Sequence, residues 1–207
     1  MKGKKLIIFD FDGVIIDSWE HAYQGNLMDW PDLQPHEHRN FFNGNVFNEV
    51  AKMPPSIISK EEKRKWVEEV YRPTKQKLPM FSGIEAVIEK LAENNTLVIN
   101  TSSTMASTTE YLIDRELSSF FDAIYAREIS TDKIQKFNQI FKDYDVKAED
   151  CIFITDTVGD VLEAQHCAIK SVVVTYGYQD RSYFESIKDE VIGFADKPSE
   201  ILNFIPE

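Results

Sequence analysis

Cysteine is scarce: Cys151 and Cys167 are the only two in 207 residues. They follow no metal-ligand spacing and make no disulfide framework, so buried reduced thiols in a cytoplasmic protein are expected. Long apolar runs are also missing. The longest clean one, Leu6-Ile7-Ile8-Phe9, is far shorter than the about 20 residues of a membrane span. Lys2, Lys4 and Lys5 precede it, but it is too short for a signal-peptide core and Asp10 cuts it off. Glycine and proline, eight each, are too few for a collagenous or low-complexity chain. Positive charge is in deficit, with 23 Lys and Arg against 35 Asp and Glu and a net charge of −12. Such a field repels a nucleic-acid backbone. The one short basic run, 60–65, is interrupted by Glu61 and Glu62 and reads as a solvated helix face. Neither a nucleic acid nor a membrane is therefore expected as a partner. What remains is 43% hydrophobic and 28% charged, the composition of a folded chain. At this length roughly 70–75% of the unfolded surface is buried, enough for a sizeable core.

Short apolar runs recur at 6–9, 97–99, 123–126, 151–154 and 172–174. They do not alternate with polar residues, which is what strands covered on both faces require. Helical patterns separate them. Ile84, Val87, Ile88 and Leu91 share one face, after a Ser82-x-x-Glu85 pattern that predicts a capping box. Ile134, Phe137, Ile140, Phe141 and Tyr144 form a second stripe within 132–144, and Val161, Leu162 and Ala164 begin a third. Pro198 suits the first turn of a last short helix over 199–204. Strand and helix alternate from Phe81 onward, which predicts an α/β fold: a Rossmann-like parallel sheet with helices on both faces. Residues 17–79 differ. They hold helical patterns near 18–30, 38–52 and 60–72, no good strand, six of the eight prolines and all three tryptophans. The expected organisation is an α/β core of 1–16 and 80–207 with a small all-helical cap, 17–79, inserted after the first strand.

The chemistry-bearing residues fall at strand ends. Asp10 and Asp12 flank Phe11 directly after the first strand, and Gly13 lets the chain turn there. In an extended chain residues i and i+2 point the same way, their stems about 6.6 Å apart. A tetrahedral phosphoryl group fits between two such carboxylates. The run 151–154 likewise ends in Thr155, Asp156 and then Asp160. If the two strands are parallel neighbours, four carboxylates converge on one rim, where ligands of open α/β sheets bind. Two bare charges at 4 Å repel by about 4 kcal/mol at an effective dielectric of 20. Such a cluster needs a cation, or some of its members stay protonated. Oxygen donors without His or Cys suit Mg2+. Thr101, Ser102 and Ser103 end the run at 97–99 and offer hydroxyls and backbone N–H groups to a phosphoryl oxygen, or cap the helix that follows. Lys133 lies in the first turn of its helix, where a cation opposes the helix dipole unless an anion is near. Lys136, one turn on, shares its face.

Together the stretches Asp10-Phe11-Asp12-Gly13-Val14, Leu97-Val98-Ile99-Asn100-Thr101-Ser102, Lys133 and Thr155-Asp156-Thr157-Val158-Gly159-Asp160 resemble the motifs of the haloacid dehalogenase superfamily. The likeness is to its phosphatase branch with a helical cap after strand one, the group of phosphoglycolate phosphatase and β-phosphoglucomutase. The chain departs from that pattern in three places. It lacks the common Lys-Pro pair, Thr155 stands for a Gly or Glu, and Cys167-Ala168 stands for Ala-Gly. The resemblance implies a Mg2+-dependent phosphatase acting on a small phosphate ester. Asp10 would be the nucleophile that becomes an aspartyl-phosphate, and Asp12 the general acid and then base. Thr101 and Ser102 would bind the phosphoryl oxygens, and Lys133 would offset their charge. The metal would be held by Asp10, Asp156 and the Asp12 carbonyl, with Asp160 in support. Other outcomes of the same scaffold are a sugar phosphomutase, for which no cap motif is found, and a non-catalytic binding protein. A dehalogenase lacks the second Asp of the first motif.

Specificity would then lie in the cap. It offers Arg39, Lys52, Lys63, Arg64 and Arg72 to anions and Trp19, Tyr23 and Trp30 for ring stacking. Its hinges are expected at 16–18 and 78–82. Phe42-Asn43-Gly44-Asn45 is expected as a turn that touches substrate.

Overall fold

The structure is a computed structural model and describes residues 5–206. The apolar runs are strands β1 (Leu6–Phe9), β2 (Thr96–Asn100), β3 (Ala123–Tyr125), β4 (Cys151–Thr155) and β5 (Lys170–Val174). With β6 (Gly193–Ala195) they form one sheet in the order β3-β2-β1-β4-β5-β6, every pair parallel. The sixth strand is not expected from the sequence. It is three residues long, sits at the edge and starts on a glycine, so it carries almost no apolar-run signal.

Because the strands are covered on both faces, alternate residues of β1 serve different cores. Ile7 and Phe9 pack with α6 (Ile84–Ala92), α7 (Met105–Asp114) and the C-terminal 3-10 turn Pro198–Phe204. Leu6 and Ile8 pack with α8 (Lys133–Tyr144) and α9 (Val158–His166). The predicted stripe on α6 is buried as expected. The predicted Ser82 capping box is not formed. Gly83, with φ of 86°, takes the cap position instead, and no side chain caps the helix.

Between β1 and α6 the described chain is helical: α1 (Trp19–Leu27), α2 (Pro35–Asn40), α3 (Val46–Val50), α4 (Lys60–Trp66) and α5 (Arg72–Lys75). Of the three helices expected here, the first is α1 and the other two are interrupted. Chain direction changes at Gly44, and Asn45 restarts a helix by accepting the Phe47 and Asn48 N–H groups. A π-helical turn, Val67–Tyr71, joins α4 to α5 just before Pro73, which has no N–H for the ladder. The two connections between this segment and the sheet run side by side. Ile16 bridges Met80 in antiparallel fashion, Asp17 N–H donates to the Pro79 carbonyl at 3.0 Å, and Phe81 N–H donates to the Ile15 carbonyl at 3.1 Å. Among the described residues no helix is long and apolar enough to cross a membrane.

Candidate active site

Register decides which side chains meet. Phe9 lies level with Ile99 of β2 and Ile154 of β4, so all three strands end together. The order also reverses here, since β2 and β4 leave β1 on opposite sides, and a crevice opens at such a point. Asp10, Asp12, Thr101, Ser102, Ser103, Asp156, Asp160 and Lys133 all line one cavity at that rim, of about 320 Å3. Phe42, Gly44, Trp66, Tyr71 and Lys75 of the helical segment line the same cavity.

Lys133 settles between two carboxylates. Its Nζ is 2.8 Å from Asp10 Oδ2 and 2.6 Å from Asp160 Oδ2, with the side chain 2% exposed. Asp132 caps α8 by accepting the Ile134 N–H, which places Lys133 at the first helical position facing the sheet. Lys136, in contrast, donates to the Thr101 carbonyl at 2.6 Å and so braces the turn after β2. Burial and the neighbouring Lys133 push the Lys136 ammonium down to about 8. Burial opposes charge on Lys133 too, but Asp10 and Asp160 outweigh it and raise its pKa. Asp160 also accepts from Thr155 Oγ1 at 2.8 Å. Burial alone would raise its carboxyl, yet Lys133 and these hydrogen bonds hold it below the usual range.

Asp10 and Asp156 behave oppositely. Burial drives both carboxyls upward, and repulsion from the other aspartates adds to it. Lys133 only partly offsets the burial of Asp10. Asp10 Oδ1 accepts the Phe11 N–H at 2.7 Å. Asp156 Oδ2 accepts the Tyr178 N–H at 2.7 Å, while its Oδ1 is buried with no hydrogen-bond partner among the described residues. Gly13, at φ of 78°, lies against Asp156, and a Cβ there would strike the carboxylate.

These facts bear on a cation. Among the described residues no three His, Cys, Asp or Glu side chains gather into a self-sufficient ligand group. Mg2+ does not need one, because it binds through one or two carboxylates and keeps waters or substrate phosphate for the rest. Two electrostatically under-compensated carboxylates, an orphaned buried oxygen and an oxygen-only donor set fit that ion. Lys133 and Thr155 both engage Asp160 Oδ2, as Lys133 engages Asp10 Oδ2. The Asp12 side chain is taken up by other partners, so Asp12 has its carbonyl to offer.

Asp12 is held by four contacts. Lys75 Nζ lies 2.7 Å from Oδ1 and 2.9 Å from Oδ2, Ser18 Oγ donates at 2.8 Å and Ser103 Oγ at 2.6 Å. Burial would raise its carboxyl, but the charge of Lys75 and the hydrogen bonds from Lys75, Ser103 and Ser18 outweigh that and lower it. Lys75 and Ser18 are not expected from the sequence, and neither is Tyr178, whose hydroxyl is 3.0 Å from Ser18 Oγ. No local pattern marks them. Lys75 is one of several lysines in a helical stretch, and only the return of α5 to the rim brings it to Asp12.

The expected substrate turn lines the cavity through Phe42, Gly44 and Asn45, and it also contacts the core. Asn43 Oδ1 accepts from Gln179 Nε2 at 2.8 Å. Asn45 Nδ2 donates to the Thr131 carbonyl at 2.9 Å and to Glu163 Oε1 at 2.8 Å, while its oxygen caps α3. The Gly44 carbonyl lies directly on Gly159, where any Cβ would collide with it. This turn therefore joins the helical segment to the core. The cap cations are placed as follows. Arg39 stacks on Trp19 at 3.8 Å, and Lys52, Arg64 and Arg72 pair with Glu49, Glu68 and Glu110. Of these five, Lys63 reaches the cavity wall, bound to Asp29 and the Gly25 carbonyl. Trp19 stacks on Tyr23, and Trp30 donates to the Pro54 carbonyl, so none of the three offered rings faces the cavity.

A family model described as haloacid dehalogenase-like hydrolase matches residues 7–174. The chain is 22% identical to a phosphoglycolate phosphatase of Synechococcus elongatus over 97% of both chains. Its fold is similar to that of a haloacid dehalogenase-like hydrolase from Streptococcus pneumoniae, with a TM-score of 0.78, 22% identity and 99% of both chains covered. It is also similar to CbbY from Rhodobacter sphaeroides, solved with phosphate, with a TM-score of 0.75, 15% identity and 96% of both chains covered.

Proposed function

The chain belongs to the haloacid dehalogenase-like hydrolases, and on that premise we propose that it is a Mg2+-dependent phosphatase that hydrolyses a small phosphate monoester through an aspartyl-phosphate. The observation that carries this reading is the convergence of Asp10, Asp12, Lys133 and Asp156 with the Thr101–Ser103 hydroxyls on one small, covered cavity. The relative named phosphoglycolate phosphatase supports the same reaction class. The free thiols of Cys151 and Cys167 support a cytoplasmic site of action.

Asp10 is the nucleophile. The Phe11 N–H and Lys133 fix its two oxygens, so its attack on phosphorus needs little reorganisation. Thr101, Ser102 and Lys133 receive the phosphoryl oxygens. The ester oxygen leaves with a proton from Asp12, and Asp12 then takes a proton from the water that cleaves the acyl phosphate. Lys75 favours the ionised form of Asp12, which is the base of the second step. The proton of the first step arrives with the substrate, since a phosphate monoester has its second pKa at about 6. Mg2+, when bound by Asp10, Asp156 and the Asp12 carbonyl, supplies positive charge against the phosphoryl oxygens. Asp160 orients Lys133. The segment 17–79 is a cap that keeps water from competing with the leaving alcohol. A phosphomutase would need a water-tight cap with a place for a second phosphate at the far end, and a binding protein has no use for a clamped Asp12.

The test is a panel of phosphate monoesters with Mg2+ and with excess chelator, run on the wild type and on Asp10→Asn. Hydrolysis that requires the metal and falls by at least a thousandfold in the isosteric variant is expected. Undiminished turnover in chelator, or in Asp10→Asn, refutes the mechanism.

A further inference from the structure

The cavity changes character from one half to the other. Its core half is the polar site of aspartates, hydroxyls and Lys133. Its cap half holds Phe42, Val46, Trp66, Val67 and Tyr71, with Gly25 of α1 beside them. The charged side chains that the cap adds are already engaged. Lys63 pairs with Asp29 and donates to the Gly25 carbonyl, and Lys75 pairs with Asp12. The polar Asn45 donates to Glu163. Asn26 also lines this half, and Arg127, on the core, is exposed to solvent. A charged group entering here would lose its water with no free buried counter-charge to meet it. An apolar group gains by the same burial.

The segment 60–75 is built to present this wall. Lys63, Val67, Tyr71 and Lys75 follow one another at steps of four, and all line the cavity. In an α-helix each such step overshoots a full turn by about 40°, so the series would wind off one face. The π-helical turn Val67–Tyr71 is wider and takes that overshoot back, which keeps the series on the cavity side. The rings are also fixed by their own packing. Tyr71 lies on His21 with centroids 4.0 Å apart and on Trp66 at 5.4 Å, and Phe42 meets Tyr178 edge-on at 4.8 Å. Gly25 makes room for them, because a Cβ there would lie 2.8 Å from the Tyr71 ring.

We propose that Phe42, Trp66, Val67 and Tyr71 form a subsite for an apolar ring, so that the preferred substrate is a phosphate monoester of a short alcohol bearing one uncharged aromatic ring. This rests on the phosphatase reading of the same cavity. The volume of about 320 Å3 suits one ring and a phosphoryl group, because small-molecule sites run from about 300 to 1,000 Å3. A flat ring stacks on or meets edge-on the rings of such a wall, an arrangement that adds to the area it buries.

Benzyl phosphate, ethyl phosphate and phosphoglycolate test it, since benzyl alcohol and ethanol are leaving groups of similar basicity. The wild type is expected to favour benzyl phosphate over both others by about ten- to a hundredfold in kcat/KM, mainly through KM. Val67→Asn sets an amide in the wall and Trp66→Leu removes a ring. Each should shrink the benzyl-to-ethyl ratio by about fivefold or more. Equal values for benzyl and ethyl phosphate in the wild type, phosphoglycolate ahead of both, or a ratio that moves in neither variant overturns the subsite. Phenethylphosphonate and propylphosphonate, which carry a methylene in place of the ester oxygen, are titrated calorimetrically into the wild type and Val67→Asn with Mg2+ present. Tighter binding of the phenyl compound that weakens in Val67→Asn supports the subsite even where no ester turns over, and it is then the phosphatase reading that fails. Equal binding of the two phosphonates overturns the subsite alone.

Discussion

His38 should make the helical segment acid-labile. The ring is fully buried, and neither nitrogen has a hydrogen-bond partner among the described residues. Trp19, Tyr23, Phe41 and Phe42 surround it at centroid distances of 5.8, 5.4, 5.8 and 5.5 Å. Burial, and then the nearby Arg39 guanidinium, lower its pKa from 6.5 to about 4. The folded protein therefore binds fewer protons at this ring than the unfolded chain between those two values. Stability from the neutral ring is complete above pH 6.5, is lost as pH falls, and stops falling below about pH 4. At 1.36 kcal/mol per pKa unit the whole effect is roughly 3 kcal/mol, of which about 2 kcal/mol appears by pH 5. His38→Phe keeps an aromatic ring in the nest and removes the titration. Urea unfolding of both proteins at pH 7.5 and pH 5 measures the effect. Within about 1.5 kcal/mol of each other at pH 7.5, they should diverge by about 2 kcal/mol at pH 5 in favour of the variant. Other carboxylates titrate in both proteins and cancel in the difference. Parallel stabilities at the two pH values would refute the picture of a neutral, unpartnered ring.

Two further perturbations address the seam between the helical segment and the core. Gly159→Ala places a methyl group on the Gly44 carbonyl. It should cost about 1–3 kcal/mol in thermal or urea unfolding and raise KM several-fold, and an unchanged KM would show that Gly44 does not seat on the core during turnover. Lys75→Met leaves the largely buried Asp12 carboxylate without its cation, so it should destabilise by about 3 kcal/mol. Adding Asp12→Asn to that variant should recover most of the loss, and strict additivity in the double-mutant cycle would mean that the pair does not form in solution.

Much of the sheet and part of the site were legible because each left a local trace. A parallel strand buried on both faces is an uninterrupted apolar run, and 6–9 and 151–154 say so plainly. An aspartate directly after such a run lies at a rim where ligands bind, which is how Asp10, Asp12, Asp156 and Asp160 came to light. Lys133 was legible through a contradiction, as a cation in the first turn of a helix that needs an anion to explain it. Asp10 and Asp160 are those anions. β6 left no such trace. The capping box at Ser82 and Glu85 failed although its pattern was intact, because Gly83 with its positive φ starts the helix one residue later.

Residues that join the two parts of the molecule lie beyond local inference for a physical reason. Lys75 and Asp12 are 63 positions apart, Asn45 and Glu163 118, and Asn43 and Gln179 136. Nothing in the neighbourhood of any one of them reveals its partner. No local pattern sets Lys75 apart until α5 brings it back to the rim, and the Asn43-Gly44-Asn45 turn, which lines the cavity, shows its contact with the core only once Gly159 is seen to admit it. Both cases have one origin. A polar side chain near a cavity is judged available when its hydrogen-bonding capacity looks free, and that capacity is set by long-range contacts. The residues at strand ends are thus legible locally, while the partners of their side chains are set by contacts far apart in sequence.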